Sequence, residues 1–368
     1  MVYLDYSATT PVNDEVLETF NKVTKEYFGN SNSLHKLGSD ADRLINESTK
    51  IICNFLKIKT SELIYTSGAT ESNNLAVKGV IEAYPSRAKR IITTKLEHSS
   101  IKKQMETLKK KGYEIEYLNL LEDGTVDLNH LKSLLQKDAI LVTISMVDSE
   151  LGIRQPIEEI GKILKDYPKV IFHTDITQAL GKVNFDLTNV DLASFSGHKI
   201  YAIKGIGGLV KKENINLFPQ IEGGKSTTIF RSGTPQTSLI ASLAKAFKLI
   251  NYDFDKSLNE MIITKLKEYD VHINITSKSI PHIINFSIPS IKSETFVHAL
   301  DEEDIYISSK TACSVNEDMS ESVYAVTNDE LLSKRSLRVS LSYLTTKEEV
   351  NRFLTVFDKC YQELNLLK

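Results

Sequence analysis

Lys199 stands beside a histidine, His198, directly after a run of mostly apolar residues that is typical of a buried strand, residues 191–196. Burial at the end of such a strand favours the neutral form of an amine, which attacks carbonyl groups. A second strand-like run, residues 170–174, leads into Asp175. A lysine and a carboxylate are the pair with which proteins hold pyridoxal phosphate, the lysine as a Schiff base and the carboxylate at the pyridinium nitrogen. The alternative is that Lys199 is a solvated loop residue and Asp175 a helix N-cap, and these two segments alone do not decide between them.

The segments that must position this pair alternate between strands and helices. From residue 63 to residue 199, strand-like runs rich in Val, Ile and Leu are separated by helical patterns. Such alternation is typical of a mostly parallel sheet that is covered by helices on both faces. Ligands bind these sheets beyond the carboxyl ends of the strands. Because Thr70, His98, Asp175 and Lys199 all follow predicted strands closely, we expect them to meet at that edge.

Two predicted helix starts near this edge carry side chains suited to a phosphate and to an aromatic ring. Residues 67–70, Ser-Gly-Ala-Thr, offer backbone N–H groups and a hydroxyl at the positive end of a helix dipole. His98 opens another helix, where an imidazole can lie flat on a cofactor ring or transfer protons. Both features also have a structural explanation, because Ser and Thr are common N-caps and a single histidine is more often structural. Gln178, three residues after Asp175, carries an amide that can form a hydrogen bond with the phenolic oxygen of pyridoxal phosphate.

Three further candidate residues lie in the C-terminal half of the chain. Arg338 lies in an apolar run, and a buried guanidinium needs either a substrate carboxylate or a structural carboxylate as its partner. Cys313 lies in a polar stretch, which suits an exposed, nucleophilic thiol. Thr234, in the run Arg-Ser-Gly-Thr-Pro of residues 231–235, offers a second hydroxyl for a phosphate.

Composition excludes several classes of function. The 368-residue chain has a net charge of −3, which is too small to indicate binding to nucleic acid or to a membrane surface. Its length favours two domains. Without a signal-like start or an apolar run that could span a bilayer, it is predicted to be cytoplasmic. Three cysteines without close spacing argue against a disulfide framework and a Cys-rich zinc site, so we expect no metal and a structural role for Cys53 and Cys360.

Together these motifs resemble those of the pyridoxal-phosphate-dependent cysteine desulfurases of the class V aminotransferase group. The resemblance runs from residues 3–11 (Tyr-Leu-Asp-Tyr-Ser-Ala-Thr-Thr-Pro) through residues 66–74 (Thr-Ser-Gly-Ala-Thr-Glu-Ser-Asn-Asn) and 196–199 (Ser-Gly-His-Lys) to 231–234 (Arg-Ser-Gly-Thr). The spacing between the cysteine and the arginine of the C-terminal part resembles the subgroup typified by the iron-sulfur cluster assembly enzymes.

This resemblance implies an α/β protein, a pyridoxal-phosphate-dependent transferase of fold type I. A large domain with a mostly parallel seven-stranded sheet flanked by helices would be joined to a small α+β domain. We expect residues 13–253 to form the large domain, and residues 1–12 and 254–368 to form the small domain that carries the cysteine loop. The implied reaction converts L-cysteine to L-alanine and leaves a persulfide on Cys313. The implied homodimer passes that sulfur to an acceptor protein of an iron-sulfur cluster or tRNA thiolation pathway.

The resemblance also implies a role for each candidate residue. Lys199 would bind the cofactor and move the α-proton of the substrate, while Cys313 would attack the substrate sulfur. Arg338 would bind the substrate carboxylate, with Ser149 beside it. The residues implied to bind pyridoxal phosphate are Ala69, Thr70, His98, Asp175, Gln178, Ser196, His198, Lys199 and, from the other subunit, Thr234.

One departure from the family pattern keeps other functions open. Residues 147–150 read Val-Asp-Ser-Glu where the family usually has Val-Asn-Asn-Glu, so Asp148 is expected to add negative charge near the predicted substrate site. A related lyase that acts on selenocysteine or another amino acid is therefore the second hypothesis. A non-catalytic paralogue that only binds partners is the third, and the retention of Lys199, Asp175, His98 and Cys313 argues against it.

Overall fold

The computed structural model describes residues 1–224, 226–309 and 319–366. The α-helices of this part of the chain are α1 (Asp14–Glu26), α2 (Lys36–Leu56), α3 (Ala69–Ala83), α4 (Ser99–Lys110), α5 (Leu128–Leu134), α6 (Ile157–Leu164), α7 (Thr237–Lys248), α8 (Lys256–Leu266), α9 (Ser293–Asp301), α10 (Glu321–Thr327), α11 (Glu330–Lys334) and α12 (Lys347–Leu366). Its β-strands are β1 (Val2–Tyr3), β2 (Leu63–Thr66), β3 (Arg90–Thr93), β4 (Glu114–Tyr117), β5 (Leu141–Thr143), β6 (Ile171–Asp175), β7 (Leu192–Ser196), β8 (Gly207–Lys211), β9 (His272–Ile273), β10 (Ile283–Ser287), β11 (Ile305–Tyr306) and β12 (Ser336–Ser340).

A seven-stranded sheet forms the centre of the larger part of the molecule. Its strand order is β2-β8-β7-β6-β5-β3-β4. Strand β8 is antiparallel to both of its neighbours, and the remaining strands run parallel to one another. The predicted mostly parallel seven-stranded sheet is therefore confirmed.

Helices cover both faces of this sheet, which explains the continuous apolar runs in the sequence. Neighbouring strand residues point to opposite faces, so Leu141 packs in the cluster that contains residues of α3 and α4. Val142 packs in the cluster that contains residues of α2, α6 and α7. Ile171 and Phe172 divide between the same two clusters in the same way.

A second apolar core lies in the smaller part of the molecule, around the antiparallel sheet β12-β10-β9. Helices α8, α9 and α12 pack on this sheet through residues such as Ile262, Phe296 and Phe353. Strand β1 pairs with β11, and Val2 and Leu4 enter the same core. The predicted small α+β unit is present, while its boundaries at residues 12 and 254 stay predictions.

The sequence did not predict the shortest elements. Strands β1 and β9 span two residues each, and α10 and α11 span seven and five residues. Such segments contain too few apolar residues to show a period of either 2 or 3.6. Cys53 and Cys360 are buried, which confirms their structural interpretation. Among the described residues, no helix combines the length and the apolar composition that a membrane crossing requires.

Candidate active site

A cleft of about 580 Å³ opens at the carboxyl ends of strands β2, β3, β5, β6 and β7. This is the edge at which the sequence predicted a ligand site, and the volume lies in the range of small-molecule pockets. Most of the predicted site residues line the cleft, namely Ala69, Thr70, His98, Ser149, Asp175, Gln178, Ser196, His198, Lys199 and Arg338. The structure therefore brings together residues that lie up to 269 positions apart in the sequence, from Ala69 to Arg338.

Asp175, the last residue of β6, holds its carboxylate in a fixed orientation. The side-chain amide of Asn73 donates to Oδ2 at 2.8 Å, and the backbone N–H of Thr177 donates to Oδ1 at 2.9 Å. His173 lies two residues earlier on the strand, between the hydroxyls of Thr143 and Ser194. Burial lowers the pKa of His173 to about 4 despite the nearby carboxylate, so this imidazole is neutral at pH 7. The site thus presents the Asp175 carboxylate without a cationic histidine directly behind it.

Lys199 ends a short 3₁₀ helix, Gly197–Lys199, that directly follows β7. Its Nζ donates hydrogen bonds to the backbone carbonyls of Ser7 and Ala8, the latter at 2.6 Å. Both carbonyls belong to the N-terminal segment, which therefore forms one wall of the cleft. The lysine amine is held among polar groups within the cleft rather than on the open surface.

Gln178 is oriented by a second half-buried lysine, Lys182, which the sequence did not indicate. Lys182 Nζ donates to Gln178 Oε1 at 2.8 Å, while Gln178 Nε2 donates to the carbonyl of Ser7 at 2.9 Å. Burial, followed by the positive charges of Lys199 and Arg338, lowers the pKa of Lys182 to about 7. Because the carbonyl of Ser7 can only accept, it fixes the Nε2 end of the glutamine amide toward the cleft wall.

His98 is the N-cap of α4, as its position before a helical pattern predicted. Its Nδ1 lies 3.2 Å from the backbone nitrogen of Ser100 and 2.8 Å from the hydroxyl of the same residue. These contacts hold the imidazole at the cleft wall.

The start of α3 provides the predicted anion site at the other end of the cleft. Its N-cap, Gly68, makes no side-chain capping bond, so the first-turn N–H groups are left for a ligand. A Cβ on Gly68 would lie 3.3 Å from Ser196 Oγ, which shows how closely the backbone approaches that hydroxyl. Burial and the charges of Lys199 and Lys204 lower the pKa of His198 to about 4. A bound anion would counteract this cluster of positive charge.

Arg338 is 2% exposed and joins the smaller sheet to the cleft. Its Nη2 lies 2.7 Å from Asp5 Oδ1 in an ion pair, and its Nη1 donates to the carbonyl of Ser149 at 3.0 Å. The structural carboxylate that the sequence left as an alternative is thus present. Arg338 Nε is buried and has no hydrogen-bond partner in the described part of the chain, so the guanidinium retains a donor.

Asp148 does not line the cleft, contrary to the expectation that it adds charge to the substrate side. Its carboxylate accepts hydrogen bonds from the backbone of Glu150 at 2.9 Å and of Leu151 at 2.5 Å, and from the hydroxyl of Ser322 at 3.1 Å. It is held within its own tight turn because backbone N–H groups are the nearest donors. The neighbouring Ser149 does line the cleft.

Two predicted residues are not part of this chain's described cleft. Thr234 is exposed and absent from the cleft lining. Arg231, three residues before it, pairs with Glu71 at 2.9 Å, and Glu71 also accepts from the backbone of Ser67. Burial opposes ionisation of Glu71, but these hydrogen bonds lower the pKa of the carboxyl below its usual value. Cys313, the predicted nucleophile, lies outside the described residues.

Sequence reasoning missed Asn73, Ser100 and Lys182, which make side-chain hydrogen bonds to the predicted residues Asp175, His98 and Gln178, respectively. Asn73 and Lys182 each had a usable signal, since both are polar residues at helical spacing from a candidate. Lys182 follows Gln178 by four positions and Asn73 follows Ala69 by four. Ser100 lies two positions after His98, where a side chain can bond to the cap residue.

The chain matches the aminotransferase class-V family over residues 2–353. A NifS/IcsS protein homolog of Lactobacillus delbrueckii subsp. bulgaricus is 39% identical, over 99% of this chain and 98% of its own. Cysteine desulfurase IscS of Dictyoglomus turgidum is 37% identical, over 100% of this chain and 96% of its own. The solved structure of SspA in complex with cysteine has a TM-score of 0.84 at 29% identity, covering 94% of this chain and 100% of that one. These similarities span the whole arrangement described above, and the chain therefore belongs to the aminotransferase class-V family and, within it, to the cysteine desulfurases.

Proposed function

We propose that this protein uses pyridoxal phosphate to convert L-cysteine to L-alanine and transfers the released sulfur to an acceptor protein. The observation that carries the proposal is the meeting of Lys199 and Asp175 in one cleft at the carboxyl ends of β6 and β7. Enzymes of this family depend on pyridoxal phosphate, and the related SspA structure contains cysteine. The first fact supports the cofactor, and the second supports a cysteine substrate for the present chain.

The residues of the cleft fit pyridoxal phosphate at both of its polar ends. The uncapped start of α3, with Ser196 and His198, offers donors for the phosphate. The fixed carboxylate of Asp175 would accept a hydrogen bond from the ring nitrogen. Lys199 would attach the cofactor, and Gln178 would contact its phenolic oxygen. When bound, pyridoxal phosphate withdraws electrons from the substrate, which permits its α-proton to be removed.

The remaining site residues would act on the substrate. Arg338 retains a buried donor beside Ser149, which supports a role in binding the cysteine carboxylate. Lys199 would move the α-proton of the substrate, since an amine within the cleft can accept a proton and return it. His98 would lie against the cofactor ring.

The sulfur step would use Cys313 as the nucleophile. Its thiolate attacks the substrate sulfur, the Cβ–S bond breaks and an S–S bond forms. Cβ takes up a proton and is reduced to the methyl group of alanine, while the two sulfurs share the oxidation as a persulfide on the enzyme. The contacts of the described residues on either side of 310–318 support this assignment. Ser308 pairs with Arg338, which lines the cleft, and Ser322 bonds to Asp148, the neighbour of the cleft residue Ser149.

A homodimer would complete the site. Thr234 is exposed in this chain, and we propose that it contributes its hydroxyl to the phosphate site of the partner subunit. The acceptor of the persulfide sulfur would be a protein of an iron-sulfur cluster or tRNA thiolation pathway.

The test is to incubate the holoenzyme with cysteine and to measure alanine together with the intact mass of the protein. We expect one added sulfur atom on Cys313, and loss of both alanine production and the mass increase in Cys313→Ala. Cys360→Ala is the matched control, because Cys360 is buried in the smaller core and should not react. Unchanged alanine production in Cys313→Ala would exclude the persulfide route and favour another lyase reaction. A protein that stays colourless with pyridoxal phosphate would favour a non-catalytic paralogue.

A further inference from the structure

A chain of side-chain hydrogen bonds links Asp175 to His98 across two helices. Asn73, on α3, donates from Nδ2 to Asp175 Oδ2 at 2.8 Å and to Ser100 Oγ at 2.9 Å. Ser100 Oγ lies 2.8 Å from Nδ1 of His98. The carboxylate at one side of the cleft and the imidazole at another are therefore connected through two residues, neither of which lines the cleft.

The orientation of the Asn73 amide follows from its neighbours. Asn73 is fully buried, and turning its amide around would set Oδ1 against the carboxylate oxygen of Asp175. Its Oδ1 has no hydrogen-bond partner among the described residues. A buried amide normally pairs both of its ends, so this position is dictated by the two bonds that its nitrogen donates.

The same chain selects a tautomer of His98. The hydroxyl of Ser100 accepts from Asn73 and therefore has its own proton to donate to His98 Nδ1. The backbone N–H of Ser100 points to the same nitrogen at 3.2 Å. Two donors at Nδ1 require that this nitrogen accepts, which leaves the proton of the neutral ring on Nε2.

We propose that Asn73 is a positioning residue that holds the Asp175 carboxylate and, through Ser100, the Nε2-protonated form of His98 in their working orientations. This inference rests on the proposed function, in which Asp175 and His98 contact the cofactor. It extends that function by naming two residues, Asn73 and Ser100, that act only through others. Removing the amide frees the carboxylate to rotate and leaves the Ser100 hydroxyl free to turn away from His98.

The first test reads the tautomer of His98 without any cofactor. In apoprotein labelled with ¹⁵N-histidine, NMR should show His98 protonated at Nε2, with its signal assigned by its loss in His98→Gln. Ser100→Ala, which removes a single oxygen, should produce a mixture of tautomers, as should Asn73→Ala. Asn74→Ala is the matched control, because Asn74 is the next residue of α3. Among the described residues, its amide nitrogen donates to the carbonyl of Thr70 rather than to Asp175 or Ser100. A wild-type ring protonated at Nδ1 would overturn the inference.

The second test measures the affinity for pyridoxal phosphate by absorbance titration. Asn73→Ala should weaken binding roughly tenfold to a hundredfold, because a hydrogen bond to a charged group is lost. Ser100→Ala should weaken it less, and Asn74→Ala should leave it unchanged. Thermal unfolding of each apoprotein shows whether the variant is folded, and Ser100→Ala keeps the test informative where Asn73→Ala is not.

The outcomes separate this inference from the proposed function. If the wild type does not bind pyridoxal phosphate, the proposed function fails and the NMR result still stands by itself. If the wild type binds but Asn73→Ala binds equally well with the His98 tautomer unchanged, the inference fails while the proposed function survives.

Discussion

Asp148 holds a buried carboxylate at the turn that brings Ser149 to the cleft. Three hydrogen bonds hold this carboxylate, yet burial, followed by the charge of Glu150, raises the pKa of Asp148 to about 6. Desolvation therefore outweighs the donors. Asp148, which departs from the family pattern near the predicted substrate site, therefore affects the stability of the turn.

We expect Asp148→Asn to stabilise the protein at neutral pH. The pKa of Asp148 in the folded state lies above that of an unfolded aspartate, so the folded protein binds the proton more tightly and the wild type loses stability as the pH rises from about 4 to about 6. An asparagine carbonyl can accept the same backbone bonds without a charge. The variant should therefore gain about 1–3 kcal/mol in urea unfolding at pH 7.5 and close to nothing at pH 4.

Asp255→Asn is the matched control for this pH dependence. Asp255 caps α8 on the surface, and hydrogen bonds from Ser257 lower the pKa of its carboxyl. Its replacement should show no gain in stability as the pH rises through the same window. An equal effect of Asp148→Asn at pH 4 and pH 7.5 would contradict the proposed cost of the buried charge.

At the scale of elements, the sequence predicted what depends on periodicity and on strand ends. The apolar runs of β5, β6 and β7 indicated a sheet covered on both faces, and the residues after those strands indicated the cleft. Contacts between distant segments have no local signal. Arg338 pairs with Asp5 across 333 positions, and nothing near either residue identifies the partner. The turn around Asp148 could not be predicted either, because the donors to its carboxylate include backbone N–H groups, which give no sequence signal.

The junction between β2 and α3 gives a prediction about the backbone. Gly68 has a φ of +153° and lies at the cleft, whereas Gly112 has a φ of +83° with no atom within 4 Å of an added Cβ. Replacing either glycine with alanine should cost about 1–2 kcal/mol in unfolding free energy, because both positions disfavour a side chain.

Only the first of these two variants should affect the cofactor. The methyl group of Gly68→Ala would lie 3.3 Å from Ser196 Oγ, at the proposed phosphate site. Affinity for pyridoxal phosphate should fall roughly tenfold or more in Gly68→Ala and stay unchanged in Gly112→Ala. Equal affinities in the two variants would show that the phosphate does not bind at the start of α3.

At the scale of the whole molecule, the cleft combines three separate parts of the chain. The N-terminal segment supplies Ser7 and Ala8, the larger sheet supplies Asp175 and Lys199, and the smaller sheet supplies Arg338. The larger and the smaller part of the molecule must therefore keep their relative positions for the site to form. Two apolar side chains before α7, those of Ile221 and Ile229, are exposed instead and lie close in sequence to Thr234.

Mixed dimers test the proposal that Thr234 acts in the site of the partner subunit. A dimer of one Lys199→Ala chain and one Thr234→Glu chain, purified through two different tags, has one intact site if Thr234 acts in the partner, because the second chain keeps Lys199 and receives a wild-type Thr234. It has none if Thr234 acts in its own chain. The control, a double-variant chain paired with a wild-type chain, gives the reverse result in each case. We expect alanine production from the first dimer and almost none from the control, since a carboxylate at position 234 repels the phosphate of the opposite site. Activity confined to the control dimer, or a protein that is monomeric in solution, would contradict a shared site.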